Sequence, residues 1–272
     1  MIFWRNWSSH QQRWVTALLV AVPLVAVLGW APVASWVAVV VLAAGLGLWE
    51  VQGLVLAEGL PTGWQALYFS AAVGMPLAAY GAGAGGLHAA LVLWLFAGFA
   101  AVMRWDPLDR LQLDRLSRVV LAWLYVPYLL SYVLLLARSD TPRRWIFFTL
   151  LALVAGDVGA YYTGKTVGRR KLNPRVSPNK TVEGSIGGLI AATLLGTVFG
   201  FAFGDGRSVI ALAATALVLE LVGQMGDLIE SMLKRMFGKK DSSHLLSGHG
   251  GILDRLDSLL FAFPLTWLIL QM

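Results

Sequence analysis

Cysteine is absent from the 272 residues, which excludes disulfides, thiolate metal ligands and a cysteine nucleophile. Any metal must then be held by carboxylate, imidazole or backbone oxygen. Charge is also scarce: charged residues make up 13% of the chain, with 15 acids, where soluble domains carry roughly a quarter charged residues. Hydrophobic residues fill the space, at 58% of the chain and a mean hydropathy of +0.70. This is the composition of a polytopic membrane protein. At about 20 apolar residues per crossing, its length allows eight or nine spans and no separate soluble domain, so the bundle itself must hold any active site.

Apolar runs predict an all-α fold of about nine spans, at 14–30, 33–49, 66–80, 87–103, 119–137, 145–163, 185–204, 209–229 and 252–271. The first run could instead be the core of a signal peptide, but another apolar run follows it at once. Two regions result, 1–144 with about five spans and 145–272 with about four spans and two long polar loops. Positive loops stay cytoplasmic, and Arg5, Arg13, Arg104, Arg110, Arg115, Arg118, the basic residues of 164–184 and those of 234–240 all fall on one side if the N-terminus is cytoplasmic. Arg138, Arg143 and Arg144 fall on the other side, the weakest point of this arrangement. Trp4, Trp7, Trp14, Trp30 and Trp64 are expected as interfacial anchors, GAGAGG at 81–86 as a flexible outer loop, and 104–118 as an amphipathic segment on the headgroups. GxxxGxxxG at Gly196, Gly200 and Gly204 reads as a helix-packing stripe.

An ionisable group within a span is costly and is usually paired or functional. Asp157, Glu220, Asp227, Asp254 and Asp257 qualify, whereas the first five spans carry no acid in their cores. Asp157, Asp227, Asp254 and Asp257 are expected near the cytoplasmic surface, where oxygen ligands at one depth suit Mg²⁺, a cation typically bound by one or two carboxylates plus substrate phosphates. Helix-start placement of Asp254 and Asp257, or ordinary Asp254–Arg255 and Glu230–Lys234 pairs, would explain some of these acids without function.

The loop 164–184, GKTVGRRKLNPRVSPNKTVEG, leads into a glycine-rich helix start at Gly184, and a second such start follows His249-Gly250-Gly251. Helix N-termini with exposed amides and nearby cations are natural phosphate receptors. Fixing topology and holding anionic headgroups is the simpler role for these cations. GKT at 164–166 lacks the upstream glycine of a P-loop and follows a helix, so that reading is rejected.

The run from Ser231 through Lys234, Arg235, Lys240, Asp241 and His249-Gly250-Gly251 to Asp254, Arg255 and Asp257 resembles the C-terminal motif of the phosphatidate cytidylyltransferases. Ser177-Pro178-Asn179-Lys180-Thr181-Val182-Glu183-Gly184 and the Asp157 helix are similar to that family too, so the resemblance covers about 145–272; Ser247 and Ser243 depart from residues usual there. The resemblance implies conversion of CTP and phosphatidic acid to CDP-diacylglycerol and pyrophosphate, with Mg²⁺ and, in some members, a second cation such as K⁺. It implies Asp227 and Asp254 as metal ligands supported by Asp157 and Asp257, with Lys234, Arg235, Lys240, Asp241 and Arg255 among the catalytic residues. Ser177, Lys180, Thr181, Glu183, His249, Gly250 and Gly251 would bind substrate. The partners expected are CTP, phosphatidic acid and the bilayer of a bacterial-type plasma membrane, with no nucleic acid, a homodimer left open and the site on the cytoplasmic side. A CTP-dependent polyprenol or phytol kinase is the nearest rival, an ion-coupled transporter the rival from another class.

Overall fold

Runs of Leu, Val and Ala satisfy their backbone in hydrocarbon by coiling into helices, and helices dominate the computed structural model, which describes residues 9–56, 59–105, 109–204, 206–243, 245 and 250–272. The expectations placed on Trp4, Arg5, Trp7, Ser247 and His249, and on the side chains of Arg13 and Trp14, lie outside the described residues. The order is α1 (Ser9–Trp30), α2 (Ser35–Val55), α3 (Thr62–Trp105), α4 (Arg110–Trp123), a π-helical turn (Leu124–Tyr128), α5 (Tyr132–Leu136), α6 (Pro142–Val167), strands β1 (Lys171–Asn173) and β2 (Ser177–Thr181), α7 (Val182–Ala202), α8 (Val209–Met236) and α9 (Leu253–Leu270). Among the described residues, six stretches are long and apolar enough to cross a membrane: Ser35–Val55, Thr62–Arg104, Arg110–Leu136, Pro142–Val167, Val182–Ala202 and Val209–Met236.

The chain divides into two compact units, Met1–Leu134 with Lys239–Arg255, and Leu135–Gly238 with Leu256–Met272. In the first, α3 is broken at Gly83, whose φ of 68° and ψ of −155° are not helical. Trp94 Nε1 donates to Ser70 Oγ at 3.1 Å across 24 positions, which a straight helix would hold roughly 36 Å apart at 1.5 Å per residue. The chain therefore turns back on itself at Gly83, and helix flanks it on both sides. The expected flexible loop at 81–86 is a one-residue break, tolerated because glycine reaches positive φ at little cost.

Trp123 Nε1 donates to the Tyr68 carbonyl at 3.1 Å, and Tyr68 Oη to the Leu48 carbonyl at 2.9 Å, tying α4, α3 and α2 together. The 104–118 segment does not end before the next span: from Arg110 it is the start of the apolar stretch that reaches Leu136, past a π turn containing Pro127. Proline lacks the N–H that an α-helical ladder needs there. Trp64, expected at an interface, is fully buried, whereas Trp30 is exposed.

In the second unit, α7 carries a buried stripe of Gly184, Gly188, Ala192, Gly196 and Gly200, one residue every four positions and so along one face. A Cβ on Gly196 would lie 2.7 Å from Ala216 Cβ, and one on Gly200 2.8 Å from a Leu212 methyl. These glycines bring α7 and α8 into close contact. Gly204 differs from the expected stripe: it follows the helix with φ 63° and nothing within 4 Å of a Cβ placed there. Trp145, Phe148, Leu153, Leu212, Leu219 and Ala262 form the core, joined by a Thr149–Thr266 hydroxyl pair at 2.8 Å.

Between α6 and α7, the expected polar loop is a two-stranded antiparallel hairpin pairing Lys171 with Thr181 and Asn173 with Ser177. It is an addition to the helical fold rather than a change of class.

Candidate functional site

A cavity of about 490 Å³ opens in the second unit where α6, the hairpin, α7 and α8 meet. Its walls include Asp157, Lys165, Lys180, Thr181, Ser185 and Asp227. The aspartates and Gln224 come from helices, whereas Lys180 comes from β2, so the hairpin carries a cation to acids embedded in the bundle. The Lys180 ammonium donates to Asp227 Oδ2 in an ion pair whose two side chains are each 30% exposed. Asp257 lies within electrostatic reach of Asp227, Asp157 and Lys234, and its backbone is close to α8, since a Cβ on Gly226 would meet the Asp257 carbonyl. Two carboxylates, Asp157 and Asp227, thus line the cavity, and Asp257 acts on them electrostatically from outside its lining.

A polar chain supports this cavity from below. Glu220, 1% exposed, accepts from Gln224 Nε2 at 2.8 Å. Gln224 also donates to the Ser185 carbonyl at 3.1 Å and accepts from Ser185 Oγ. Gly156 is required beside it, because a Cβ there would collide with the Glu220 carboxylate. Gln224 was not singled out by sequence reasoning; its signal was a polar residue four positions after Glu220, on the same helical face.

Thr181 caps α7, its Oγ1 accepting from Gly184 N–H at 3.1 Å, as N-cap threonines do. Val182 N–H donates to the Arg170 carbonyl. Glu183 Oε2 accepts from the backbone N–H groups of Arg169 and Arg170 at 3.0 and 3.1 Å, and Oε1 from Arg170 Nε at 3.3 Å. Glu183 therefore braces the hairpin, and the Gly184 amide, one of those expected to greet phosphate, already has a partner within the chain, as does the Val182 amide before it. Ser177 sits at the start of β2, paired with Asn173.

Further along α8, Lys234 is buried and donates to Glu230 Oε2 at 2.9 Å, the i to i+4 pair that the sequence offered as the ordinary explanation. Arg235 Nε reaches the Val176 carbonyl of the hairpin at 3.4 Å.

The remaining motif residues belong to the first unit. Lys240, Asp241 and Arg255 are exposed. Asp254 Oδ2 accepts from Gly251 N–H at 2.7 Å, from Ser242 N–H at 3.0 Å and from Ser242 Oγ at 2.8 Å. Gly250 has φ 76° and lies against the Asp254 carboxylate, so neither the backbone angle nor the space admits a side chain. The expectation of open amides at the start of α9 does not hold for Gly251, Ile252 and Leu253, whose N–H groups are taken by carboxylates of the chain itself. Among the described residues, no group of three or more His, Asp or Glu is gathered as a ready-made metal cage.

One acid escaped sequence reasoning. The span expected at 33–49 extends to Val55 and places Glu50 inside it, 1% exposed, which corrects the reading that the first five spans hold no acid in their cores.

These features define a helical membrane protein whose second unit holds a cavity lined by both acidic and basic side chains, Asp157 and Asp227 beside Lys165 and Lys180. The chain belongs to the cytidylyltransferase family, whose model it matches over residues 11–272. It is 41% identical over 160 residues to the phosphatidate cytidylyltransferase of Bacillus subtilis (strain 168), covering 58% of this chain and 60% of that protein. It is 45% identical over 127 residues to the protein of the same name from Staphylococcus aureus (strain COL), covering 47% and 49%, and 41% identical over 133 residues to that of Staphylococcus haemolyticus, covering 49% and 51%. The matched stretch spans about half to three fifths of the length of these curated relatives.

Proposed function

We propose that this protein transfers CMP from CTP to phosphatidic acid, giving CDP-diacylglycerol and pyrophosphate. The observation that carries the proposal is the cavity holding Lys180 against Asp227, with Asp157 in the same wall, in a chain of the cytidylyltransferase family. A lipid phosphate oxygen attacks the α-phosphorus of CTP, a P–O bond forms, and the bond to the β-phosphate breaks with its electron pair leaving on pyrophosphate. The attacking oxygen is already anionic, so alignment and charge stabilisation do most of the work. Lys180 is placed to meet phosphate charge, and Lys165 adds a second cation to the same wall. Asp227, held by Lys180 and by Ser231 Oγ at 3.4 Å, keeps a fixed position for cation binding.

The donor set fits Mg²⁺: Asp157 and Asp227 are hard oxygen ligands in one cavity wall, Asp257 lies within electrostatic reach of each, and Mg²⁺ needs only one or two carboxylates when substrate phosphates complete its shell. When bound, the ion would neutralise triphosphate charge and favour pyrophosphate departure. Asp254, held by Gly251 and Ser242 amides, is proposed to contribute through the motif segment it fixes. We further propose nine spans, with α1, the two arms of α3 on either side of Gly83, and α9 as crossings in their own right, and the hairpin and the 237–252 segment on the cytoplasmic face of a bacterial-type plasma membrane, where their Lys and Arg residues favour retention.

The test uses protein purified in detergent with radiolabelled CTP, phosphatidic acid and Mg²⁺, counting label in the organic phase, alongside Asp227→Asn and Asp254→Asn. The expected result is lipid labelling that requires phosphatidic acid, disappears with EDTA and is lost in both variants. Well-folded protein that labels a polyprenol with phosphate instead of CMP would move the assignment to a lipid kinase. Labelling that survives both substitutions would remove Asp227 from the metal site and show that the segment fixed by Asp254 is not needed for the reaction.

A further inference from the structure

Glu50 is a charged side chain 1% exposed within α2, and burying a charge is costly unless it is fully hydrogen-bonded. Among the described residues, the groups that donate to it come from the motif segment about 200 positions later. Oε1 accepts from Ser243 Oγ at 2.6 Å and Ile252 N–H at 2.8 Å; Oε2 accepts from Ser242 Oγ at 3.0 Å and Leu253 N–H at 2.7 Å. The last two backbone donors are amides at the N-terminus of α9, where a helix favours negative charge. Glu50 thus occupies, from another helix, the place an anion would take. Gly251 is shaped to it: a Cβ there would strike both the Ser242 hydroxyl and the Glu50 carboxylate. The single Ser242 hydroxyl proton is shared between Glu50 Oε2 and Asp254 Oδ2, so the two carboxylates grip the same serine from either side.

We infer that Glu50 is a positioning residue: by filling the α9 N-terminus and holding Ser242 and Ser243, it fixes those two serines against residues 251–253 and with them the orientation of Asp254. Its link to catalysis rests on the cytidylyltransferase reading above; its structural brace does not. A glutamine at this position keeps the shape but turns one acceptor into an NH₂ donor, setting it against two of the four donors.

The experiment compares the full-length protein with Glu50→Gln and the milder Ser243→Ala, which removes one donor to the same carboxylate. Amide hydrogen exchange is followed by mass spectrometry on peptides covering 250–256, and kcat and KM for CTP are measured with phosphatidic acid and Mg²⁺. The expected result for Glu50→Gln is exchange at least tenfold faster in those peptides, with protection of α7 and α8 unchanged, and kcat lowered at least tenfold with KM for CTP moved less than threefold; Ser243→Ala should shift both in the same direction by less. Unchanged exchange in both variants overturns the brace. Faster exchange with unaltered kcat overturns the positioning role. If the wild-type protein shows no CTP-dependent lipid labelling, the cytidylyltransferase reading fails, while exchange in the two variants still decides the brace. If Glu50→Gln does not fold, the Ser243→Ala pair of measurements decides the question alone.

Discussion

The Lys180 ammonium rests on Asp227, joining a two-stranded hairpin to a transmembrane helix 47 positions further along the chain. Neither residue is deeply buried, each being 30% exposed, so the pair serves less as a stability device than as a way to hold two opposite charges at a cavity wall. Exposed or half-exposed pairs contribute little to folding, on the order of 0–1 kcal/mol. Lys180→Met is therefore expected to leave thermal stability nearly unchanged while lowering kcat/KM for CTP by about 10²-fold, the scale seen when one preorganised charge-stabilising donor is lost. Combining it with Asp227→Asn should cost less than the product of the single effects, because each substitution breaks the same unit. Initial-rate measurements on the four proteins check this, and simple multiplicativity would mean that the two residues act separately.

The acids of the second unit were legible because an Asp or Glu inside an apolar run stands out against a background that excludes charge. Asp157 and Asp227 do line one cavity, and Lys180 joins them. What sequence could not show was where donors go. The amides at the start of α9 looked open to phosphate, yet Glu50 and Asp254 take them, and the former lay one residue beyond the end drawn for its span. Hydropathy also blurred two other points, reading a single-residue break at Gly83 as a loop and a buried Trp64 as an interfacial anchor. Both depend on side-chain packing across elements, which a windowed average over one segment does not contain.

Glu220 and Gln224 offer a stability test independent of activity. Replacing Gln224 with Leu keeps the volume of the helix face but withdraws the donor to a carboxylate that is 1% exposed, and it breaks the two contacts with Ser185. An acceptor left buried without its partner costs about 1–3 kcal/mol. Gln224→Leu should lower Tm measurably in detergent, and Gln224→Leu with Glu220→Leu should recover part of that loss, since removing both polar partners is far milder than removing one. A double variant no more stable than the single one would show that the chain matters for something other than hydrogen-bond satisfaction.

The α7–α8 crossing makes a separate prediction. Gly196→Val adds a branched side chain where a Cβ alone would stand 2.7 Å from Ala216 Cβ and 3.6 Å from Ala152 Cβ. Overpacking of a close contact costs typically about 1–3 kcal/mol. Gly45→Ala, where a Cβ meets nothing within 4 Å, is the matched control and should be neutral or slightly stabilising, because alanine favours helix over glycine by about 1 kcal/mol. Thermal unfolding in the same detergent compares them, and equal Tm values for the two variants would refute close packing at Gly196.

The hairpin can be probed where it is tied down. Glu183 accepts from two successive backbone amides and from the Arg170 side chain, so it fixes the first strand's approach while the turn at 174–176 is held by other means, including Val176 N–H donating to Asn173 Oδ1 at 3.3 Å. Protease needs an extended, unrestrained segment, and cleavage rates report how often that segment is released. Glu183→Gln halves the acceptor capacity of the side chain and removes its charge, so trypsin should cut after Arg169 and Arg170 severalfold faster in the variant. Cleavage after Arg175, at the turn, should change little and serves as the internal reference. Timed digestion with mass-spectrometric mapping gives both rates from one sample. Acceleration at all three sites together would mean that Glu183 holds the whole hairpin on the bundle rather than its base alone, and no acceleration at Arg169 and Arg170 would show that the strand is secured elsewhere, by its pairing with β2 or by the Arg235 contact at Val176.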